Sequence, residues 1–581
     1  MTAVAVIGLG SRGLSVLERI LTLARGPVRV EVVDPTCTGA GVHDPAQPDY
    51  LLLNTTAGQV SMFPDAATVG AATGPPGPSL YEWAAERGLR VAADGFSVGG
   101  TGRPVRPTDF LPRRLLGEYL GWFLGELCRR APAGVDVRLH RAEAVDLEPD
   151  PAGLTVRLSD GAALRVQHAF LTTGYTRNTD PDPGPYPLPD RVADVAAGQP
   201  VAVAGFGLTA MDVMSALTVG RGGRYAEDAD GILRYLPSGR EPELLFFSRT
   251  GMPCRARPRT LEFGPPYRPL VFTPAAVDAL RAGRGGPLDF TADVQPLLLA
   301  EVRVAYRRAE AALEGTDIEA ELAADLSATL DRLDRERGPF DPGEAFDPAT
   351  GMALDSAEAY QKWLAETVRA DLAEGLLGLA GSPVKAGLDV LRALRDTFRR
   401  AVDYGGITAA SLEEFTARTV PALNRAVVGP QWERYAELLA LFAAGVARAP
   451  FGPAPAVLPS GGRTMLASTR LAEPYAAEVA AVLAAYVPLP AVAASASPLL
   501  AALHRRGTIR PHRPGSRRVP GIDVDRDQHP LDAAGRPQRR ISVLGPLCEG
   551  ATFYTNLVPS PGGFSRPVHD AHRCVAAALT R

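Results

Sequence analysis

The sequence contains few of the residues that build metal centres and disulfide scaffolds. Among its 581 residues there are only five cysteines and eight histidines. No two cysteines have C-x-x-C spacing, which argues against a zinc site, a dithiol redox centre and a disulfide framework. The closest histidines, His569 and His572, do not form an H-E-x-x-H pattern. We therefore expect neither a metal site nor cysteine chemistry.

An excess of one charge and a long apolar run are also missing. The 61 basic and 65 acidic residues leave a formal charge of −4, which provides no general attraction for nucleic acids or anionic membranes. No apolar run reaches the roughly 18 residues that a membrane-spanning helix requires. The first predicted strand is not preceded by a basic region or a cleavage site. We expect a cytoplasmic protein that binds neither membranes nor nucleic acids.

The sequence does have the composition of a globular protein, and it contains two glycine-rich turns. An apolar fraction of 46 % over this length predicts several folded domains. We predict an α/β fold with two Rossmann-like dinucleotide-binding domains and a large, mostly helical insertion. The expected domains are a first dinucleotide-binding domain over 1–198 completed by 541–581, a second dinucleotide-binding domain over 199–264 to which 460–507 could belong, a helical substrate or lid domain over 265–450, and an extended surface loop over 508–540.

The first glycine turn follows a continuously apolar segment, Ala3 to Ile7, which is typical of a strand buried on both faces. The next residues have the pattern G-x-G-x-x-G, and a helical pattern follows. In this context the first glycine permits a tight turn, the second lets a diphosphate approach the backbone, and the third lets the helix pack on the strand. The N-terminus of the helix offers amide N–H groups to the phosphates. We assign to this site Gly8, Gly10, Ser11, Arg12 and Gly13.

Four later segments extend this first site. A second apolar strand ends at Asp34, where a carboxylate can accept hydrogen bonds from ribose hydroxyls. Asn54 and Thr55 follow a Gly-Ala-Gly loop of the kind that passes along FAD. A further buried strand ends in Thr173-Gly174, and a glycine there lets the backbone approach a dinucleotide. A late strand and turn, which includes Gly545, is expected to complete the first sheet. These residues favour FAD as the first cofactor.

A second glycine turn lies near residue 205. An apolar strand leads into the G-x-G-x-x-A pattern Gly205 to Ala210, and a helix follows. A later strand, residues 242–247, ends in Ser248-Arg249, where an NAD site usually has an acidic residue. A guanidinium at this place suits a 2′-phosphate and favours NADPH over NADH, with residues 220–240 as an inserted loop. We assign to this site Gly205, Gly207, Leu208, Thr209, Ser248 and Arg249.

Residues 265–449 are predicted to be mostly helical. Their apolar residues recur at three- and four-residue steps. Predicted helices include residues 302–313, 318–333, 357–372 and 386–402. Ser382-Pro383 has the pattern of a helix start, with a serine N-cap and proline at the first helical position.

Several segments resemble one family of proteins. Ile7 to Gly13, Leu53 to Thr55, Gly205 to Asp212 and Phe247 to Gly251 look like the large FAD- and NAD(P)-binding proteins with two nucleotide motifs and a helical insertion. This family includes flavin-dependent N-monooxygenases that oxidise the amine of amino acids, aspartate among them. Two further pieces, Gly381 to Lys385 and Gly545-Pro546, extend the resemblance over most of the chain.

Two other segments are similar to N-hydroxylating monooxygenases more broadly. They are Leu171 to Tyr175 and Phe110 to Arg114. This sequence has Thr172 where those proteins more usually have alanine. The similarity is specific for the cofactors and much less so for the substrate.

The resemblance implies that NADPH reduces FAD, that O₂ reacts with the reduced flavin, and that a substrate amine receives an oxygen atom. The cofactor carries this chemistry, so we assign no catalytic residue. An acidic amino acid needs cationic partners, for which the candidates are Arg106, Arg113 and Arg255. The expected partners are an amino-acid-like small molecule and O₂, and the chain could form a homo-oligomer.

Two other functions stay open from the sequence. One is a carbon-hydroxylating flavin monooxygenase that acts on an aromatic or carrier-bound amino acid. The other is a flavin reductase, or an FAD-binding protein without oxygenase activity. Because all of these use the same cofactors, the glycine motifs do not separate them, and only the position or absence of added oxygen in the product does.

Overall fold

The computed structural model describes residues 1–92, 95–179, 184–346, 351–513 and 519–580. The chain divides into two compact units. The first comprises Met1–Pro183, Val402–Gly405 and Pro488–Arg581, and the second comprises Gly184–Ala401 and Gly406–Val487. This division differs from the predicted domain boundaries, because the first unit resumes at residue 488 and the helical insertion shares a unit with the second glycine turn. Sequence patterns report local elements, whereas a unit is defined by contacts between distant segments.

The first unit is built on a five-stranded parallel sheet. The strands of this sheet lie in the order Ile541–Val543, His168–Leu171, Thr2–Ile7, Val28–Val33 and Val135–His140. The other strands of the unit are Leu52–Thr56, Leu89–Ala92, Gly95–Val98, Arg103–Pro104, Phe110–Pro112, Ala144–Asp150, Gly153–Leu158 and Ala163–Val166. Its helices are Ser11–Leu23, Ala66–Val69, Leu80–Glu86, Arg113–Arg129, Pro498–Arg505 and Arg566–Leu579.

The strand Thr2–Ile7 is buried on both faces, as its apolar run predicts. Successive side chains of a strand point to opposite faces of the sheet. Val4 and Val6 belong to the core that contains the helix Ser11–Leu23, whereas Ala5 and Ile7 belong to the core on the other face. A parallel sheet needs this double coverage, because both of its faces are apolar.

The second unit has a parallel sheet of its own. The order is Ala447–Arg448, Glu243–Phe247, Pro200–Ala204 and Ala481–Ala484. Its other strands are Arg224–Glu227, Leu233–Leu236, Ala456–Ser460, Arg463–Ala467 and Ala476–Val479. Its α-helices are Leu208–Leu217, Pro274–Arg284, Gln295–Leu313, Glu319–Ala324, Leu326–Arg337, Pro342–Phe346, Ala357–Gly381, Pro383–Ala393, Arg395–Val402, Ala409–Glu414, Val420–Val427 and Trp432–Ala443. The predicted α/β fold with two dinucleotide-type sheets and a helical insertion is confirmed.

Three local predictions differ from the structure of the second unit. The single helix predicted over 386–402 is divided into Pro383–Ala393 and Arg395–Val402. Residues 220–240, predicted as an inserted loop, contain an antiparallel hairpin of Arg224–Glu227 with Leu233–Leu236. The single helix predicted over 318–333 is interrupted at Asp325, whose carboxylate accepts the N–H of Ala328 at 3.0 Å and so starts a new helix. Apolar periodicity continues across such a break, and for this reason the periodicity alone misses it.

Residues 508–540, predicted as an extended surface loop, differ from that expectation in their burial. Their described part forms isolated bridges and turns rather than helices or longer strands. However, Ile509, Ile522 and Val524 are buried in the core on one face of the first sheet. Because the segment is rich in arginine, proline and aspartate, its sequence did not indicate that these three apolar residues are buried. Among the described helices, none combines the length and the hydropathy needed to cross a bilayer.

Candidate functional site

The first glycine turn joins the strand Thr2–Ile7 to the helix Ser11–Leu23. Gly8 has a φ of +95°, a conformation that side chains rarely adopt, and a Cβ there would lie 2.7 Å from the carbonyl oxygen of Thr172. A Cβ on Gly13 would lie 2.1 Å from the carbonyl oxygen of Gly8. Gly13 therefore lets the helix lie close against the turn, and Gly8 lets the turn lie close against the neighbouring strand end at Thr172.

The N-terminus of this helix is open. Its N-cap residue Gly10 offers no side chain, and the first helical turn has no acidic residue. A Cβ on Gly10 would meet Gly41 at 3.6 Å, which places a second glycine loop against the turn. Ser11 is half-buried at the first helical position. Amide groups at such an end attract an anion, and a diphosphate is the anion that this arrangement suits.

Asp34 follows the neighbouring strand Val28–Val33 and braces the turn. Its Oδ2 accepts the N–H of Leu9 at 2.9 Å, while its Oδ1 accepts the N–H groups of Thr36 and Cys37 at 2.9 and 2.8 Å. Burial raises the pKa of this carboxyl, but the hydrogen bonds from Leu9, Cys37 and Thr36 outweigh burial, and the net pKa lies below its ordinary value. Among the described residues only the N–H of Leu9 donates to Oδ2, so this oxygen retains capacity for a ribose hydroxyl.

The strand His168–Leu171 ends beside the same turn. The hydroxyl of Thr172 donates to the carbonyl oxygens of Ile7 and Gly8 at 3.0 and 2.7 Å. This explains why threonine at 172 is compatible with a nucleotide turn. The Oγ1 of Thr173 is buried and has no hydrogen-bond partner in the described part of the chain. Gly174 has a φ of +69°, and a Cβ there would meet no atom within 4 Å. A ligand at this place could therefore contact both the hydroxyl of Thr173 and the backbone of Gly174.

The C-terminal segment reaches the first helix through Arg12. Arg12 is buried, and its Nη2 donates to the carbonyl oxygen of Thr555 at 2.5 Å. Gly545 has a φ of +86°, and a Cβ there would lie 3.1 Å from Cγ of Arg12. Glu549 in turn accepts the N–H of Thr555 at 2.8 Å. The sequence indicated Arg12 and Gly545, but it gave no signal for the link through Glu549.

The remaining predicted residues of the first unit lie further along the chain. Asn54 and Thr55 are half-buried in the strand Leu52–Thr56, which pairs with Phe110–Pro112. The Nε of Arg113 donates to the carbonyl oxygen of Leu52 at 3.1 Å. Arg106 is exposed, and its backbone N–H donates to Asp109 at 2.7 Å. The roles of both arginines as substrate anchors stay predictions.

The second glycine turn joins Pro200–Ala204 to Leu208–Leu217. Gly205 has a φ of +150°, and a Cβ there would lie 2.9 Å from the carbonyl oxygen of Ala485. Gly207 is the N-cap residue, without a capping side chain and without an acidic residue in the first turn. Leu208 and Thr209 are half-buried at the start of the helix. The second turn thus also presents an open helix N-terminus.

Ser248 and Arg249 lie beside this turn. They directly follow the strand Glu243–Phe247, which pairs in parallel with Pro200–Ala204. Ser248 caps its own turn, because its Oγ accepts the N–H of Gly251 at 3.1 Å. Arg249 is exposed, and within the described ranges its guanidinium makes no ion pair or hydrogen bond. It is therefore available to a phosphate.

Arg255, the third predicted anchor, belongs to a buried charge cluster of the helical insertion. Its Nη1 lies 3.0 Å from Oδ1 of Asp371, and Nζ of Lys385 lies 2.7 Å from the same oxygen. Burial lowers the pKa of Lys385, although Asp371 beside it acts in the opposite direction. Asp371 and Lys385 were missed as functional candidates, although Lys385 is one of only two lysines in the sequence.

Among the described residues of the first unit, one group of side chains has the atom types and spacing that could bind a metal ion. Asp525, Asp527 and His529 bring one potential ligand atom each within 4.8 Å of one another. However, Asp525 accepts the backbone N–H groups of Asp527 and His529 at 2.9 Å, which is the arrangement of an ordinary turn.

Two parallel sheets, each with an open glycine turn at a helix N-terminus, define the class of FAD- and NAD(P)-binding proteins. A family model described as FAD-NAD(P)-binding matches residues 5–176. The chain is 32 % identical to the nitrosuccinic acid synthase of Aspergillus oryzae, over 99 % of this chain and 92 % of the relative. It is 33 % identical to the nitrosuccinate-forming L-aspartate N-monooxygenase of Streptomyces davaonensis, over 99 % and 97 %. An FAD-bound cadaverine monooxygenase from Erwinia amylovora aligns with a TM-score of 0.46 and 11 % identity, over 100 % and 94 %.

The chain belongs to the L-aspartate N-monooxygenase family. This membership rests on identity above 30 % over almost the whole of both sequences. It confirms the prediction of a flavin-dependent oxidoreductase with FAD and a nicotinamide dinucleotide as cofactors, of the kind that oxidises an amine nitrogen.

Proposed function

We propose that this protein oxidises the amine nitrogen of L-aspartate, or of a closely similar acidic amino acid, with NADPH and O₂. The observation that carries the proposal is the similarity over 99 % of the chain to two relatives named for nitrosuccinate formation. The similarity covers both glycine turns and the helical insertion that follows the second turn. In the first oxidation, one NADPH and one O₂ convert R–NH₂ to R–NHOH, and the second oxygen atom leaves as water.

The first glycine turn is proposed as the FAD site. The amides at Gly10 and Ser11 would face the diphosphate, and Oδ2 of Asp34 would accept a ribose hydroxyl. The buried hydroxyl of Thr173 is a polar atom that a cofactor would satisfy. When bound, FAD supplies electron transfer and oxygen activation. The residues themselves bind and orient the cofactor and exclude water from it.

The second turn is proposed as the NADPH site. The open helix end at Gly207 suits the dinucleotide diphosphate. Arg249 is exposed at the carboxyl end of the adjacent strand, where the 2′-phosphate of an adenosine ribose would lie. A guanidinium can bind a phosphate with two parallel charged hydrogen bonds. These features support NADPH over NADH.

Product analysis under ¹⁸O₂ tests the proposal. The purified, FAD-loaded protein is incubated with NADPH and L-aspartate, and the products are identified by mass. L-Malate, which has a hydroxyl in place of the amine, serves as the matched control. We expect ¹⁸O on nitrogen, NADPH consumption that depends on L-aspartate, and no product from L-malate.

Two outcomes would contradict the proposal and indicate another function. Oxygen on carbon would indicate a carbon-hydroxylating monooxygenase. NADPH consumption and hydrogen peroxide without any oxygenated product, over a panel of amines that includes L-glutamate and cadaverine, would indicate a reductase.

A further inference from the structure

A loop of the first unit passes directly over the first glycine turn. It comprises residues 34–51, which join the strand Val28–Val33 to the strand Leu52–Thr56, and is called the crossing loop below. A Cβ on Gly41 of this loop would lie 3.1 Å from Cα of Gly10. The crossing loop therefore borders the place proposed for the diphosphate of FAD.

The helix Arg113–Arg129 holds the crossing loop from the other side. A Cβ on Gly117 would lie 1.7 Å from the carbonyl oxygen of His43, and one on Gly121 would lie 3.2 Å from the carbonyl oxygen of Thr38. These two glycines are four residues apart and share one face of the helix, so the backbone of the loop lies directly on that face. A loop that is fixed in this way loses little conformational entropy when it binds a ligand.

Two side chains of the crossing loop have buried polar atoms without a partner. Nδ1 of His43 and Oε1 of Gln47 have no hydrogen bond in the described part of the chain. Nε2 of Gln47 donates to the carbonyl oxygen of Val42 at 2.9 Å. Because a carbonyl oxygen only accepts, this contact fixes which end of the amide is the oxygen. Buried polar atoms in native proteins nearly always have a partner, so the pair points to a ligand.

The imidazole of His43 is uncharged at neutral pH. Burial lowers the pKa of His43 to about 4, and the positive charge of Arg113 acts in the same direction. The residue is nevertheless only half-buried, so that a ligand can reach the ring. An uncharged imidazole nitrogen either donates or accepts one hydrogen bond, depending on the tautomer. His43 is therefore suited to a neutral polar group rather than to a phosphate charge.

A hydroxyl group is the ligand chemistry that fits both atoms. Oε1 of Gln47 needs a donor, whereas Nδ1 of His43 needs a donor or an acceptor, and a hydroxyl provides both. A phosphate oxygen only accepts, and it favours a cationic partner. In FAD, hydroxyls occur on the adenosine ribose and on the ribityl chain, which joins the diphosphate to the flavin ring. The two places lie on opposite sides of the diphosphate.

The course of the chain separates these two places. The crossing loop begins at Asp34, proposed for the adenosine ribose, and it has reached the glycine turn at Gly41. His43 follows two residues later, within about 7 Å along the backbone. Beyond the loop, the N–H of Ser61 donates at 3.1 Å to Pro559 of the C-terminal segment, which follows the strand at the opposite end of the sheet. Residues after Gly41 therefore lie on the side of the diphosphate away from the adenosine.

We propose that His43 and Gln47 bind hydroxyls of the ribityl chain of FAD, through Nδ1 and Oε1. The two residues thereby position the chain that carries the flavin ring. The proposal rests on the FAD site of the proposed function, at the first glycine turn, and not on the identity of the amine substrate.

Calorimetric titration of the full chain, after its flavin is removed, tests this assignment. The ligands are FAD, ADP and an FAD analogue with a pentyl chain in place of the ribityl chain. The variants are His43→Phe, which keeps the ring without its nitrogens, and Gln47→Met. His504→Phe is the matched control, because His504 lies on the helix Pro498–Arg505, whose leucines pack on the other face of the sheet.

The expected results differ between the three ligands. Each variant should lower the affinity for FAD at least tenfold, whereas the affinities for ADP and for the pentyl analogue should stay within twofold. The unaltered protein should bind the pentyl analogue at least tenfold more weakly than FAD. The control should bind all three ligands like the unaltered protein.

Three results would overturn the assignment. One is an equal loss of affinity for FAD and for the pentyl analogue in the variants, because the residues would then not contact the hydroxyls. Another is an equal loss for ADP, which would place the contact on the adenosine diphosphate half. The third is equal affinity of the unaltered protein for FAD and the analogue, a comparison that needs no substitution and decides the case if a variant does not fold.

The outcome is separable from that of the proposed function, since the titration contains no amine substrate. If the FAD affinities change as expected but no ¹⁸O appears on nitrogen, the proposed function fails and the ribityl assignment stands. If L-aspartate is oxidised while both variants bind FAD like the unaltered protein, the reverse holds.

Discussion

The N-cap glycines of the two turns share a backbone conformation, and the two turns differ in how closely the helix approaches the strand. The N-cap residue Gly10 has φ −91° and ψ −164°, and Gly207 has φ −93° and ψ −167°. At the third position of the pattern, a Cβ on Gly13 would lie 2.1 Å from a backbone oxygen, whereas Ala210 carries a Cβ and is fully buried. The open helix end is thus independent of the helix–strand distance, which each unit sets through its own packing.

The two turns also differ in the residue at the end of the neighbouring strand. In the first unit this residue is Asp34, whose carboxylate is tied to its own turn by four hydrogen bonds from Leu9, Thr36 and Cys37. In the second unit Arg249 is exposed and contacts no charged group in the described residues. The acid therefore stabilises the turn as well as offering an acceptor, whereas the arginine is available only to a ligand.

The largest effect is expected from Gly13→Ala in the first turn. The added Cβ would push the helix away from Gly8, and overpacking of this kind costs about 1–3 kcal/mol or more. We expect protein that is purified without bound flavin and that melts at lower temperature. The measurement is the ratio of flavin absorbance to protein absorbance after gel filtration. A ratio equal to that of the unaltered protein would show that the first turn tolerates a Cβ at residue 13.

The matched exchange in the second turn is Ala210→Gly. It should cost only about 1 kcal/mol, because glycine lowers helix propensity without creating a clash. Bound FAD should be unchanged, since this helix belongs to the second unit.

A smaller effect, confined to the second turn, is expected from Arg249→Gln. Loss of charged hydrogen bonds to a phosphate is worth about 1.5–3 kcal/mol, which corresponds to roughly a ten- to hundredfold change. The ratio of kcat/KM for NADPH to that for NADH should fall by this factor, and FAD should be retained. Arg463→Gln serves as the control, because Arg463 is an exposed arginine of the same unit. An unchanged ratio would show that Arg249 does not bind the 2′-phosphate.

A still smaller effect, which depends on pH, is expected from Asp34→Asn in the first turn. The folded pKa of Asp34 lies below the ordinary value of 3.8, so its ionised form stabilises the fold. This stabilisation is complete above that value and is lost as the pH falls through the lowered pKa. Allowing for solvent exposure, we expect a difference of about 1 kcal/mol at pH 7. Urea unfolding between pH 7 and pH 3 measures it, and a difference that stays constant down to pH 3 would argue against this origin.

The smallest effect is expected from Thr172→Ala in the first turn. The substitution removes the hydroxyl bonds to Ile7 and Gly8, and one such bond is worth about 1 kcal/mol. FAD content should be unchanged, with a slightly lower melting temperature. If the variant lost its flavin, Thr172 would have a larger role in binding than the geometry indicates.

Most of the nucleotide-binding architecture could be predicted because its determinants are local. Unbroken apolar runs predicted the strands Thr2–Ile7 and Pro200–Ala204, and the glycines marked the turns that follow them. The start of the helix Pro383–Ala393 was equally readable, since Oγ of Ser382 accepts the N–H of Lys385 at 3.0 Å. Each of these features depends on residues within a few positions of one another.

The buried charge cluster around Arg255 could not be predicted, because its residues are far apart in sequence. Arg255 was singled out from the chain, but its partners Asp371 and Lys385 lie 116 and 130 positions later in the sequence. No periodicity connects an extended segment with the face of a helix so far away. The burial of Ile522 and Val524 in a segment rich in polar residues was hidden for the same reason.

The sequence by itself determined the strands, the two glycine turns and the class of cofactor, since these depend on side-chain alternation, on backbone freedom at glycine and on helix ends. The tertiary structure alone decided where the units divide, which oxygen of Asp34 stays available, and that Arg255 and Lys385 share the buried carboxylate of Asp371. The reason is that charge balance and burial are properties of what surrounds a side chain, and those surroundings come from parts of the chain that only folding brings together.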